Sequence, residues 1–124
     1  MVEPADLELA ATWAEEHGAP FVPAILPRLG VVAVDEDGPV AMCWLHMDNS
    51  VGVCWPEMPV SKPGLGVQAA RHAFAAIMGF LEEEARRLDY GVMICHTNPA
   101  IARILKRLGF EEASAGWVKL YKKL

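Results

Sequence analysis

Asn98-Pro99-Ala100-Ile101-Ala102-Arg103-Ile104-Leu105-Lys106-Arg107-Leu108-Gly109-Phe110 spells a helix, both of its ends and the turn that leaves it. Asn98 can cap the free N–H groups of the first turn, and Pro99 stands at the first helical position, where a missing N–H costs nothing. Ile101, Ile104, Leu105 and Leu108 recur at i, i+3, i+4 and i+7 and line one face. Lys106 and Arg107 oppose the negative end of the helix dipole, and Gly109 offers the left-handed conformation that stops the helix.

Upstream, Tyr90 to Cys95 reads as a short buried strand, and Gly66 to Leu88 as a long helix. Its apolar positions Val67, Ala70, Phe74, Ile77, Leu81, Ala85 and Leu88 keep a helical period. The Ala-rich first half suits burial against a sheet, whereas Glu82, Glu83, Arg86 and Arg87 bring the second half into water. A strand, a helix of that length and another strand make a crossover, right-handed and with its two strands parallel. Further back, Gly30 to Val34 and Val40 to Met47 are strand-like around Asp35-Glu36-Asp37-Gly38, which carries the Asp-Gly hairpin signal. Asp48-Asn49-Ser50 turns the chain again and Val51 to Trp55 returns, after which Pro56 and Pro59 end or bulge the third strand.

Pro4 to His17 is an amphipathic helix stopped by Gly18, and Pro20, Pro23 and Pro27 confine the next stretch to a connector with at most one helical turn. Trp117 to Lys122 reads as a last strand whose alternating lysines face water. The expected order is α, β-β-β, α, β, α, β. This is an α/β chain of the α+β type with a mixed sheet: an antiparallel meander, then a β-α-β crossover, a helix and a C-terminal strand.

The whole chain of 124 residues is long enough for a single domain, 1–124, and short for two. Apolar residues make up 53% and charged ones 22%, which favours a packed globule over disorder. No apolar run approaches the roughly 18 residues of a membrane span, and the acidic N-terminal residues Glu3, Asp6 and Glu8 do not resemble a secretory signal. A soluble, cytoplasmic protein with no membrane partner is expected. A net charge of −5 argues against nucleic acid as a partner and suits a cationic or amine-bearing one. Cys43, Cys54 and Cys95 are odd in number and embedded in apolar runs, as expected of reduced core cysteines. With His46 or His96 they form no metal-ligand spacing, so no metal is expected.

Asn98 to Ile101 followed by Leu108-Gly109-Phe110 resembles the last helix of the GNAT acetyltransferases, and the order of elements from Gly30 to Tyr121 agrees with that family's fold. The resemblance implies transfer of an acyl group, usually acetyl, from coenzyme A to an amine by direct attack. It also implies acetyl-CoA as donor and dimers through the last strands. The family opens with a strand before its first helix; Met1-Val2-Glu3 leaves little room, so that strand is expected to be truncated or missing.

Ser61-Lys62-Pro63-Gly64-Leu65-Gly66, at the entry to the long helix, has the makings of an anion site. Free N–H groups of a first helical turn converge with the positive helix end, glycines let a pyrophosphate approach the backbone, and Lys62 adds charge. A plain turn at Pro63-Gly64 is the simpler reading of the same residues. The family's loop, Q/R-x-x-G-x-G/A, holds the pyrophosphate of coenzyme A. Gly64 and Gly66 match its glycines, Val67 and Gln68 follow them, and Ser61 replaces the usual Gln or Arg. The resemblance further gives Met58 and Val60 to the pantetheine arm through backbone groups, with Pro59 able to offer only a carbonyl. Asn98 falls on a position that often touches the cofactor, in competition with its simpler duty as a cap.

Chemistry of this kind needs a base for the attacking amine and an acid for the leaving thiolate. Glu57 and His96 are the candidate bases, each with a plain alternative as a surface or strand-end residue. The family's acid is commonly a tyrosine at the position held here by Leu105, which has no proton to give. His46 and Trp44, alternating to one face of the second strand, could floor an acceptor pocket with Trp55. A domain that has lost catalysis and serves as a binding or structural module is the alternative reading, with Ser61 and Leu105 in its favour.

Overall fold

The computed structural model describes residues 1–116 together with Val118, Leu120, Lys122 and Leu124. The elements are α1 (Pro4–Glu16), a 3-10 turn (Pro23–Ile25), β1 (Leu29–Asp35), β2 (Gly38–Met47), β3 (Val53–Ser61), α2 (Val67–Arg87), β4 (Val92–Met93) and α3 (Pro99–Arg107). They follow the order read from the sequence. The expected last strand rests on Trp117, Lys119 and Tyr121, which lie outside the described residues.

The sheet runs β1-β2-β3-β4, antiparallel at its first two junctions and parallel at the third. Residues 40 to 45 of β2 are all buried because both faces of this strand are covered. Ala41, Cys43 and Leu45 meet Phe74, Ile77, Met78, Leu81 and Ala85 of α2, with Leu105 of α3 completing that layer. Met42 and Trp44 face the other way and pack with Ala10, Trp13 and Ala14 of α1. Each large apolar side chain buried in these layers is worth about 1.5 to 3 kcal/mol. The second half of α2 emerges as expected, carrying the Arg86–Glu82 and Arg87–Glu84 pairs. In place of an opening strand, one backbone bond joins the Val2 N–H to the Gly30 carbonyl, at 3.0 Å.

β3 and β4 differ most from expectation. β3 extends past Trp55 to Ser61, so Pro56 and Pro59 lie within it, and Glu57, Met58 and Val60 are strand residues rather than residues after a strand. The prolines are tolerated because, among the described residues, the ladder to β4 ends at Cys54. Cys54 accepts a bond from Ile94 on the β4 side, and Pro56, two residues on, turns its nitrogen toward the same side, where pairing has ended. β4 is correspondingly short: Val92 and Met93 alone pair with Val53 and Cys54, and the strand expected to reach Cys95 parts from β3. The second irregularity is a bulge. Met42 pairs with Val60 and Trp44 with Glu57, which leaves an extra residue on β3 and puts Met58 at φ 50°.

Candidate active site at the parted strands

β3 leaves its bulge, ends at Ser61 and enters the glycine loop directly. The Lys62 N–H stays tied to the Val40 carbonyl at 2.9 Å, and the Leu65 N–H returns to the Lys62 carbonyl at 3.2 Å. Pro63 and Gly64 occupy the middle of this turn, Gly64 at φ +78°, as a type II turn demands of its third residue. The plain turn and the glycine loop are therefore one object. Gly66 then caps α2 in an extended conformation, φ −62° and ψ 158°, with no side chain on the first-turn N–H groups. A Cβ added at Gly66 would meet nothing within 4 Å. Neither its backbone angle nor its packing calls for glycine, whereas an anion seated on the helix end would use that space.

Of the two other α-helices, α3 is capped by its own side chain, whereas on α1 a carboxylate takes up only the N–H of the residue that precedes the helix. Asp6 accepts the Glu3 N–H in a capping box on α1, and the Asn98 side chain accepts the Ile101 N–H at 3.0 Å on α3. Asn98 is thus a cap, its oxygen committed, and only its amide N–H groups could serve a cofactor. Lys62, Val67 and Gln68 are exposed around the loop. His17, which the sequence did not single out, places Nε2 at 2.9 Å from the Ser61 carbonyl and ties the end of α1 to the loop's first residue.

Glu57 lies opposite Trp44 and is half-buried at the start of the parted region. Met58, in the bulge, packs against the α1 layer, and Val60 is buried in that layer. Any service these two give a ligand would have to come from their backbones. His96 is exposed beyond the end of β4. With Cys95 it walls a cleft running along β4 and α3, and no residue from 57 to 68 belongs to the described wall. The two candidate bases therefore stand on opposite banks of the gap between β3 and the chain beyond β4.

The cysteines do not look like nucleophiles. Burial pushes the Cys95 thiol up to about 11, and the nearby Glu57 charge adds to the effect. Burial likewise raises Cys43, which is fully enclosed and directs its sulfur to the Trp44 and Glu57 carbonyls. Leu105 is 2% exposed, so the place of the family's tyrosine is filled by core. Among the described residues no group of three His, Cys, Asp or Glu side chains could hold a metal ion, and no helix is long and apolar enough to cross a membrane.

A meander crossed by a long helix, with a strand pair that parts beside a glycine turn, defines an α/β protein with a split sheet. No family profile and no curated protein matches the chain. Solved structures do. Rv2747 from Mycobacterium tuberculosis, in complex with CoA and NLQ, superposes with a TM-score of 0.67 at 18% identity, over 95% of this chain and 74% of its own. An acetyltransferase from Trypanosoma brucei gives 0.62 at 17% identity, over 99% and 96%. A transcriptional regulator from Bacillus halodurans gives 0.67 at 12% identity, over 97% and 96%. The fold is that of the GNAT acetyltransferases.

Proposed function

We propose that this protein transfers an acyl group, in the simplest case acetyl, from coenzyme A to an amine. One observation carries the reading: β3, beyond the pairs that Val53 and Cys54 make with β4, runs straight into a glycine turn and an α2 N-terminus that no side chain of the described residues caps. The likeness in fold to an acetyltransferase from Trypanosoma brucei and to Rv2747, solved with CoA, supports it.

Bound acyl-CoA would supply the activated thioester. The N–H groups of Val67, Gln68 and the residue after them would hold the pyrophosphate, with the Lys62 ammonium nearby. Backbone groups from Pro56 to Val60 would align the pantetheine arm, Pro56 and Pro59 through carbonyls alone. Glu57 or His96 would take the ammonium proton of the acceptor. The amine nitrogen would then bond to the thioester carbonyl carbon as the C–S bond breaks, its second proton passing to water. The departing thiolate takes its proton from water, because Leu105 has none to give. Three free cysteines suit a reducing compartment, and we place the protein in the cytoplasm.

Calorimetric titration with acetyl-CoA and with free coenzyme A tests the donor site. A Kd of about micromolar is expected; no heat at millimolar ligand would remove the proposal. Buried Leu105 favours a second reading, a module that keeps coenzyme A and no longer turns it over. Tight binding without transfer to any amine would select it.

A further inference from the structure

Glu57 does not stand alone on its face of the sheet. Cross-strand pairing sets Trp44 opposite Glu57 and His46 opposite Trp55, so these four side chains share the α1 face. Trp44 is covered by the α1 layer, but among the described residues Trp55 packs with neither core layer, and it and His46 are half-buried. Their rings stack at 4.1 Å between centroids and 20° between planes. Met93 and Cys95 pack toward α2, and Ile94 between them is 44% exposed, its N–H bonded to the carbonyl of Cys54, the residue before Trp55. Among the described residues the part of this face beyond α1 is therefore a half-buried apolar shelf of two stacked rings. It ends at a carboxylate where β3 and β4 part.

We infer that the acceptor is a primary arylalkylamine, its aromatic ring resting on the Trp55–His46 shelf and its ammonium held at Glu57; the inference rests on the transferase reading above. Residues two apart on a strand stand about 6.8 Å apart, which a two-carbon or three-carbon linker between ring and nitrogen covers. A flat apolar group gains from ring contact and dehydration of the shelf, and the ammonium gains from the carboxylate. A simple alkylamine has only the second attraction. On this basis Trp55 and His46 set acceptor choice, while the glycine loop sets donor binding.

The test compares 2-phenylethylamine with n-butylamine as acceptors from acetyl-CoA. The KM for 2-phenylethylamine should be lower by about tenfold or more. Trp55→Leu should erase most of that preference, leaving the Kd for coenzyme A within about twofold of wild type. His46→Ala should erode the preference in the same sense and guards against a misfolded Trp55 variant. Equal KM values for the two amines, or a Trp55 effect that falls alike on both, would overturn the inference. If coenzyme A does not bind at all, the transferase reading fails first. The shelf is then judged by calorimetric titration of 2-phenylethylamine alone: binding that weakens in Trp55→Leu sustains it, and no binding to the wild type ends it.

Discussion

Replacing Gly66 by Ser should make the protein more stable and a poorer ligand for coenzyme A. Gly66 sits in the extended conformation a serine N-cap adopts, and an added Cβ meets open space. A serine hydroxyl would take an N–H of the first turn, gaining a few tenths of a kcal/mol over glycine, and loss of glycine's freedom in the unfolded chain adds about 0.4 to 1 kcal/mol. The sum is about 1 kcal/mol, or roughly a 4 °C rise in Tm for a chain of this length. The same hydroxyl competes with pyrophosphate for that N–H and its Cβ fills the approach. Losing one charge-assisted hydrogen bond costs about 1.5 to 3 kcal/mol, which weakens binding by roughly 10- to 100-fold. Thermal unfolding without ligand and calorimetric titration read the two effects separately. A higher Tm with unchanged affinity would refute the anion site, and an unchanged Tm would refute the account of the helix end.

Gly64→Val should instead destabilise by about 1 to 2 kcal/mol, since φ +78° suits glycine, and urea unfolding will show it. Gly30→Ala should cost about 1 to 3 kcal/mol, because its Cβ would lie 2.4 Å from the Trp44 ring nitrogen, which is buried; an unshifted urea midpoint would contradict this. Asn98→Ala should lower stability by about 1 kcal/mol through the lost cap while changing coenzyme A affinity less than about threefold. Glu57→Gln and His96→Ala should each slow acyl transfer if they act as bases, and full activity in both would clear them of that role. Cys95 keeps its proton in the folded chain to about pH 11, against 9.0 for an ordinary thiol, so its share of stability should fall as pH rises through that interval. Its alkylation by iodoacetamide should stay slow at pH 8 and quicken toward pH 11, and Cys95→Ser should retain transfer activity.

The helices and the meander were legible because their signals are local. Asn98 and Gly109 mark the ends of α3, and Asp37-Gly38 closes the first hairpin. The parting of β3 from β4 was not legible, because Pro56 and Pro59 look like terminators until it is known that one side of the strand has no partner there. The glycine loop could be read as a turn or as an anion site, and the backbone shows that it is the turn that presents the helix end. The shelf was half visible: alternation brought out Trp44 and His46, but only the register revealed that α1 covers the first and leaves the second beside Trp55. Nothing local marks His17 as the anchor of Ser61, which depends on α1 folding back across the sheet.

The extra residue at Met58 shifts the phase of β3. Before it, odd-numbered Trp55 and Glu57 face the α1 side; after it, even-numbered Val60 does. If the same residues ran in regular alternation without the bulge, Val60 would turn to the opposite layer and Ser61 would enter the glycine turn from the other side. The strand thus has two independently phased segments, one that carries Trp55 and Glu57 and the other that holds the α1 layer. Substitutions in either segment can accumulate without resetting the other, provided the odd residue between them is kept.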